Sequence, residues 1–342
     1  MSSGTKRRNP VGTTALGLFL FFIASSALGA EKANSWYIEA KGMKMSRQDR
    51  GATTLIGHSG SGPYAPGEEI QNTSDVINTG HGGRLAIGYW WDSKQALEIA
   101  GMGIVNRGDK TVIDLDPGGQ DINLLFCSPF DFGACTIGGV AGFAEFDQAA
   151  RVRVEYDSDL IGGGLNYRRR VNRYWSWLAG IRYAYLGEKL ELTVDDGGGG
   201  PVPFSDTAVY GIRTRNHLFG SQLGVNAYLP MGHQVQFSFM ANGGLFFNHA
   251  ETLARAFDDD GLSIQSDNTK NRVAGLLESS LVLAWNPMPD LTVSAGYNVL
   301  YIPGVSTAPD QFARNNTSAE FTKNVSGYAL YHGPMLRFVL KN

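Results

Sequence analysis

Two places in the sequence carry residue types that hydrolases use. Residues 56–62 (IGHSGSG) hold a serine among glycines, but Ser61 stands where a G-x-S-x-G nucleophile turn requires its second glycine, and the surrounding loop lacks a strand-to-helix context. His249 precedes Glu251 and residues 258–260 (DDD), and a histidine with a carboxylate can activate water. No Asp-x-His spacing accompanies it. We therefore expect no catalytic site, and a barrel hydrolase ranks third among the functions considered.

Acidic loops and cysteines offer a second kind of chemistry. Residues 114–121 (DLDPGGQD) and 258–261 (DDDG) contain oxygen ligands of the type that Ca²⁺ prefers, but neither has EF-hand spacing. We expect solvated acidic loops there, with no metal and no cofactor. Cys127 and Cys135 lie close together in a Gly-rich segment, which in an exported protein favours a disulfide. The alternative is a two-Cys metal site, although no histidine lies near them in the sequence.

A third set of residues consists of charges that occupy the polar positions of alternating segments. If the segments are strands of a membrane barrel, these positions line its lumen, whereas in a soluble sheet they form an ordinary solvated face. The predicted lumen-lining residues are Arg84, Glu98, Arg151, Arg153, Glu155, Asp157, Arg182, Glu278 and Arg337. Charges paired across the lumen predict a filled barrel, and separated rows of opposite sign predict a narrow selective channel. Both interpretations remain open.

The elements that position these charges are strands. In residues 272–301, apolar side chains occupy alternate positions on both sides of the turn-forming segment 286–290 (NPMPD), and a period of two predicts a hairpin. Similar segments recur and give about ten strands joined by alternating short and long links, with long loops at 46–81, 106–148 and 250–270. Short periplasmic turns and long extracellular loops are typical of outer-membrane barrels. A hidden hairpin in either of the first two loops makes the alternative count twelve.

The N-terminal segment and the composition of the chain also fit an outer-membrane barrel. Lys6, Arg7 and Arg8 precede a short apolar segment at residues 16–28 and small residues at 27–30, which predicts that residues 1–30 are a cleaved signal peptide and residues 31–342 the barrel. No later stretch is long and apolar enough for a helical span. A membrane protein of this composition therefore crosses as a closed barrel, because only a barrel or a helix satisfies every backbone group in lipid. The formal net charge of −3 does not favour nucleic acid as a partner.

Tryptophan placement indicates which end of the barrel faces the periplasm. All six tryptophans lie beside the first strand or a short turn, and tryptophan prefers the boundary between membrane and water. The predicted periplasmic aromatic girdle consists of Trp36, Trp91, Trp175, Trp177 and Trp285.

Three segments resemble known outer-membrane proteins. Residues 333–338 (GPMLRF) are similar to the C-terminal β-signal that the barrel assembly machinery reads. Residues 214–224 (TRNHLFGSQLG), and residues 296–301 (GYNVLY) followed by 308–311 (APDQ), resemble the family known as putative β-barrel porins, common in planctomycetes. The resemblance implies an outer-membrane barrel with a pore role and identifies no solute.

The sequence therefore predicts an all-β fold, a single antiparallel up-and-down transmembrane barrel in the outer membrane. The predicted function is passive diffusion of small solutes through a narrow charged lumen, without enzymatic activity. The alternative is a structural or adhesive surface barrel that acts through its extracellular loops. The expected partners are outer-membrane lipid, the barrel assembly machinery, which binds the C-terminal strand, and small solutes.

Overall fold

The computed structural model describes most of the chain after its first 32 residues. The described residues are 33–48, 54–58, 69–72, 79–114, 122–124, 136–137, 140–141, 151–195, 207–231, 234–259, 261, 263–312 and 326–342. The predicted signal peptide and both cysteines lie outside these ranges.

Ten long strands form the wall of a closed barrel, in which each strand pairs antiparallel with the next wall strand along the chain. The all-β prediction and the count of ten are confirmed. The wall strands are β1 (Ser35–Gln48), β4 (Thr79–Trp90), β5 (Gln95–Asp114), β9 (Arg151–Arg170), β10 (Trp175–Asp195), β11 (Thr207–Pro230), β12 (Val235–Asp258), β13 (Ser263–Met288), β14 (Leu291–Val305) and β15 (Gly327–Lys341).

Pairing of β1 with β15 closes the barrel, from Tyr37 opposite Lys341 to Gln48 opposite Leu330. The stagger of the strands can be read from their pairing. A path that starts at Asn271 on β13 and steps to the paired residue on each next strand, beginning with β12, returns to β13 at Leu283, twelve residues further along. This stagger tilts every strand relative to the barrel axis. Side chains from different strands therefore meet inside at different positions along their sequences.

The connections contain smaller elements. A three-stranded sheet combines β2 (Thr54–His58), β3 (Glu69–Asn72) and β6 (Ile122–Leu124), and β7 (Thr136–Ile137) pairs with β8 (Val140–Ala141). None of these strands joins the barrel wall, so the alternative count of twelve is wrong. One short helix, α1 (Ala308–Phe312), follows β14. In the described part of the chain, no helix has both the length and the apolarity needed to cross a membrane.

The outer face of the wall carries an apolar belt. Large side chains such as Ile99, Leu223 and Leu245 are 65–71% exposed there, at alternate positions along their strands. A continuous exposed belt of this kind does not occur on ordinary soluble proteins, and it fits the hydrocarbon core of a bilayer. The opposite face of the same strands is buried in the barrel.

One predicted loop is wrong. Most of residues 250–270, predicted as a long loop, lie in strands, because β12 continues to Asp258 and β13 begins at Ser263. The alternation of short and long links therefore breaks at this point. The strands β9–β13 have 20–26 residues, more than the 9–11 needed to cross a bilayer. Their upper ends, opposite the short turns, extend beyond the apolar belt.

Close approach of β11 and β12 gives a test of this wall. A Cβ atom added at Gly220 would lie 2.1 Å from the carbonyl oxygen of Leu245, whereas one at Gly42 on the outer face would meet nothing within 4 Å. We expect Gly220→Ala to lower the free energy of unfolding by about 1–3 kcal/mol, because backbone must move to admit the methyl group. Gly42→Ala should leave it unchanged. Urea unfolding of the two variants in lipid vesicles measures the difference, and equal stabilities would contradict the register between β11 and β12.

Candidate functional site

The interior of the barrel at the level of the apolar belt holds a set of charged side chains, here called the central ion cluster. They come from seven wall strands, and every one of these side chains is at most 18% exposed. The members are Glu39, Lys41, Arg84, Glu98, Arg168, Arg182, Glu278 and Arg337. The cluster therefore contains five cations and three carboxylates.

Three of the cations form a row. The register places Lys41 on β1 directly between Arg84 on β4 and Arg337 on β15. Like charges on neighbouring strands repel one another unless carboxylates lie between them. Glu39, two residues before Lys41, meets this need: one oxygen accepts a hydrogen bond from Arg337 Nε at 2.9 Å, and the other lies 3.4 Å from Arg84 Nη1.

Glu98 is the most heavily bonded carboxylate of the cluster. Arg84 Nη2 lies 3.1 Å from its Oε1 and Arg168 Nη2 lies 2.8 Å from its Oε2. The Tyr37 hydroxyl donates to Oε2 at 2.7 Å, and the Asn166 amide donates to Oε1 at 3.0 Å. Four donors on a fully buried carboxylate compensate the loss of its hydration.

Glu278 bridges the two sides of the interior. Its carboxylate lies 3.7 Å from Lys41 Nζ on β1 and accepts a hydrogen bond of 3.1 Å from Arg182 Nη1 on β10. Strands β1 and β10 are separated by three other wall strands on the shorter way round, so they face each other across the barrel. The Lys41–Glu278–Arg182 bridge therefore crosses the lumen.

Little free space remains beside this bridge. A cavity of about 20 Å³ is lined by Arg84, Met102, Asn166, Arg182, Gln222 and Glu278. Because one water needs roughly 10–15 Å³ by the same measure, the cavity accommodates about one water molecule. The interior beside the bridge is therefore closely packed.

Above the central ion cluster, the interior becomes apolar. Side chains from the inner faces of the wall strands pack into one cluster that includes Met45, Leu186, Phe246, Leu300 and Tyr331, each at most 2% exposed. Burial of such side chains stabilises the fold by about 1.5–3 kcal/mol each. This apolar layer also includes Val305, the second residue of the segment described next.

That segment, residues 304–311, is here called the inner plug. It begins with the last two residues of β14 and continues into α1. Its polar partners lie on the inner faces of β10, β11 and β12, and residues 305–309 are all buried. The side chain of Asn216 accepts from the Ser306 amide and donates to the Ser306 carbonyl, both at 2.8 Å. The Asn248 amide donates to the Gly304 carbonyl at 3.0 Å. Two asparagines thus hold the plug as a neighbouring strand would.

An ion pair holds the beginning of α1. Glu188 Oε1 lies 2.6 Å from Arg47 Nη2, and its Oε2 accepts the Ala308 amide at 2.9 Å. An acidic group favours the first turn of a helix, where amides lack helical partners. Gly304 has a φ of 81°, a conformation that glycine adopts without strain, and it turns the chain from β14 toward the interior.

The structure brings five predicted lumen residues together. Arg84, Glu98, Arg182, Glu278 and Arg337 all belong to the central ion cluster. They meet because each occupies an inward position of its strand near the middle of the apolar belt.

The other four predicted lumen residues are wrongly placed. Arg151, Arg153, Glu155 and Asp157 lie on the outer face of β9, while Val152, Val154 and Tyr156 between them are completely buried inside. This end of β9 extends beyond the apolar belt, where the outer face meets water rather than lipid. Polar side chains therefore point outward there and apolar side chains point inward, which is the reverse of the arrangement within the bilayer.

The five predicted girdle tryptophans lie at the short-turn end of the barrel. Trp36, Trp91, Trp175 and Trp285 are 39–54% exposed on the outer face, and Trp177 is partly exposed. Trp90 is different, because it is 7% exposed and packs inside against Tyr37.

The polar parity of β1 also predicts Glu39 and Lys41 as inward-facing charges, and both lie in the central ion cluster, alternating with the exposed Trp36 and Ile38. Arg168 was not predicted. Arg168 has the parity of Asn166 but stands in a run of three arginines, which hid its position. No sequence signal predicted the inner plug.

The other candidate chemistry finds little geometric support. His249 lies on the outer face, where its Nδ1 is 2.7 Å from Asn271 Oδ1 and its Nε2 is 3.7 Å from Glu251. Asp259 accepts the Thr207 amide at 3.0 Å and hydroxyl at 2.6 Å, and these bonds lower the pKa of its carboxyl. Among the residues whose side chains are described, no group of three or more His, Cys, Asp or Glu is placed to hold a metal ion. The Ser61 segment and the predicted Cys127–Cys135 disulfide lie outside the described side chains.

Removal of one carboxylate tests the central ion cluster. We expect Glu278→Gln to lower the free energy of unfolding by about 3–5 kcal/mol, because Lys41 and Arg182 then remain buried without their shared counter-ion. The matched control is Glu251→Gln, which breaks the exposed Arg215–Glu251 pair and should cost less than about 1 kcal/mol. Urea unfolding in vesicles checks both, and a Glu278 variant as stable as the control would refute the bridge.

Comparisons with solved structures return barrels of low similarity. The outer membrane protease OmpT of Escherichia coli shares 10% identity, with 93% of this chain and 99% of that chain covered and a TM-score of 0.44. Ail, the attachment invasion locus protein of Yersinia pestis, shares 7% identity over 91% and 99%, with a TM-score of 0.30. The toluene transporter TodX of P. putida shares 11% over 90% and 89%, with a TM-score of 0.35. At these scores, the similarities do not bear on the function of this chain.

A search of curated proteins finds no match. The model of one protein family, described as Putative beta barrel porin-7 (BBP7), matches residues 67–338. The match covers well over half of the chain and nine of the ten wall strands. Together with the closed barrel and its apolar belt, it shows that the chain is an outer-membrane barrel that belongs to this porin family.

Proposed function

We propose that the protein is a porin-like, non-enzymatic channel for small solutes that is closed at rest by the inner plug. The observation that carries this proposal is the attachment of the plug. A connection between two wall strands folds into the barrel, where polar side chains of β10, β11 and β12 bind it and Val305 packs into the apolar layer. Residues 306–311 lie beyond the β14 ladder, which ends at Val305 opposite Gly327, so they can leave the interior without breaking that ladder.

The nature of the attachment supports a removable plug. The contacts of Ser306 with Asn216 and of Gly304 with Asn248 are hydrogen bonds to side chains, which water replaces at a net cost of about 0.5–1.5 kcal/mol each. The wall strands, by contrast, are joined by continuous backbone ladders. The plug is therefore a part of the interior that moves at lower cost than the wall.

The central ion cluster gives the proposed path its charge preference. Five cations and three carboxylates face the interior at the level of the apolar belt. An interior with excess positive charge attracts anions and repels cations. We therefore infer that an open state of the channel favours small anions.

A second candidate is a permanently closed barrel that acts through its external parts. The Lys41–Glu278–Arg182 bridge favours it, because the bridge crosses the lumen and the cavity beside it has a volume of only about 20 Å³. The two candidates differ in one measurable property, since only the first conducts ions.

The proposal includes the route to the outer membrane. Residues 1–30 direct export and are removed, and the barrel assembly machinery recognises β15, whose residues 333–338 carry the β-signal-like pattern. The protein then lies in outer-membrane lipid with its tryptophan-rich end toward the periplasm. This orientation places the inner plug on the extracellular side.

Single-channel recording tests the plug. We expect purified wild-type protein in planar bilayers to be closed with brief openings. The double variant Asn216→Ala/Asn248→Ala should raise the ratio of open to closed time about 5–30-fold, as expected for the loss of one or two kcal/mol of attachment. Asn271→Ala on the outer face is the control and should behave as wild type. If neither protein conducts at any voltage, the closed-barrel candidate is correct.

Ion selectivity tests the role of the central ion cluster. In the plug-weakened variant under a salt gradient, Arg182→Ala should shift the reversal potential toward cation preference, and Glu278→Ala should shift it toward anion preference. Each change removes one interior charge of known sign. A shift of the gel mobility on heating confirms that each barrel is folded. An unchanged reversal potential in both folded variants would argue against a path through the cluster.

A further inference from the structure

The outer face of β1, β4 and β5 contains an apolar groove that the proposed channel does not use. Its volume is about 860 Å³, within the range of roughly 300–1,000 Å³ typical of small-molecule sites. The small residues Ala40, Gly83, Gly101 and Gly103 form its floor. Larger residues form its sides and its end at the short turns: Leu85, Ile87, Leu97, Ile99, Trp36 and Trp91.

The glycines of the floor are not required by the packing of the wall. A Cβ atom at Gly101 or Gly103 would lie 3.8–3.9 Å from its nearest neighbour, which is ordinary contact. At Gly83, the nearest atom would be the Lys41 carbonyl oxygen at 3.4 Å. Inward-facing Gly82 differs, since its Cβ would lie 2.7 Å from a backbone oxygen. Side chains would fit on the floor, so the groove does not result from backbone crowding.

Two basic residues lie on the outer face beyond the end of the groove that is away from the tryptophans. Lys44 and His81 are directly opposite each other in the register of β1 and β4, and both are exposed on the outer face. Lys44 follows Ala40 by four residues, about 13 Å along a strand at roughly 3.3 Å per residue. One leaflet of a hydrocarbon core is about 15 Å thick. The floor therefore has the length of one acyl chain, with Lys44 and His81 at the depth of its headgroup.

We propose that this groove binds one acyl chain of a phosphate-bearing lipid of the surrounding membrane, with Lys44 and His81 contacting the phosphate. Charge complementarity selects this occupant, because the apolar floor fits a chain and the basic pair fits a phosphate ester. The inference rests on the position of the belt in lipid and is independent of whether the barrel conducts.

Native mass spectrometry of the full-length mature protein tests the proposal. The detergent-solubilised protein is incubated with phosphatidylglycerol or with phosphatidylcholine that has the same acyl chains. We expect one phosphatidylglycerol to remain bound at collision energies that remove phosphatidylcholine. Filling the floor with Gly101→Leu/Gly103→Leu, or removing the basic pair with Lys44→Gln/His81→Gln, should lower the ratio of lipid-bound to lipid-free protein at least fivefold.

Matched variants elsewhere on the outer face control for bulk and charge. Ala295→Leu on β14 adds an apolar side chain outside the groove, and Arg215→Gln on β11 removes a cation. Neither should change lipid retention. Equal retention of the two lipids, or full retention by the folded Lys44/His81 variant, would overturn the proposal. A protein dimer that disappears with the leucine variant would also overturn it, since the groove would then hold a second copy of the chain.

Discussion

Closure of the wall between β1 and β15 is the constraint on which the rest of the structure depends. In lipid, no water is available for an unpaired amide or carbonyl, so the first and last strands must complete each other's hydrogen bonds. The register of this seam, with Tyr37 opposite Lys341, fixes the twelve-residue stagger of the barrel. The stagger in turn decides which side chains meet inside. Glu278 reaches both Lys41 and Arg182 because the closed, tilted wall brings β13 between β1 and β10.

The sequence predicts the wall wherever lipid lies on one side of it. On β13, Leu277 and Leu281 are exposed on the outer face and Glu278 is buried inside, as the alternation of the segment predicts. On β9 the same reasoning fails, because Val152 and Val154 are apolar and yet point inward. A strand that leaves the bilayer keeps its period of two but reverses its polarity. The parity of exposed Ile161 and Leu165, followed upward along β9, identifies the outer face correctly.

The inner plug could not be predicted for a different reason. Residues 304–311 have no period, and their burial depends on Asn216, Asn248 and Glu188, which are more than 50 residues away in the chain. Each of these polar residues looks like an ordinary inward-facing side chain by itself. Only the closed barrel brings them to one place, where they replace the backbone partners that a strand would supply. The long-range geometry of the wall is therefore needed before the plug can be recognised.

The wall is uneven in height. Strands β5 and β9–β13 have 20–26 residues, whereas β1, β4, β14 and β15 have 12–15. The six long strands are neighbours and occupy more than half of the circumference, so the rim of the barrel is higher on that side. The turn between β12 and β13 stands among the parts of this wall farthest from the bilayer. A peptide epitope inserted there would be carried clear of the lipid surface on a rigid support, which makes this turn an attractive position for cell-surface display.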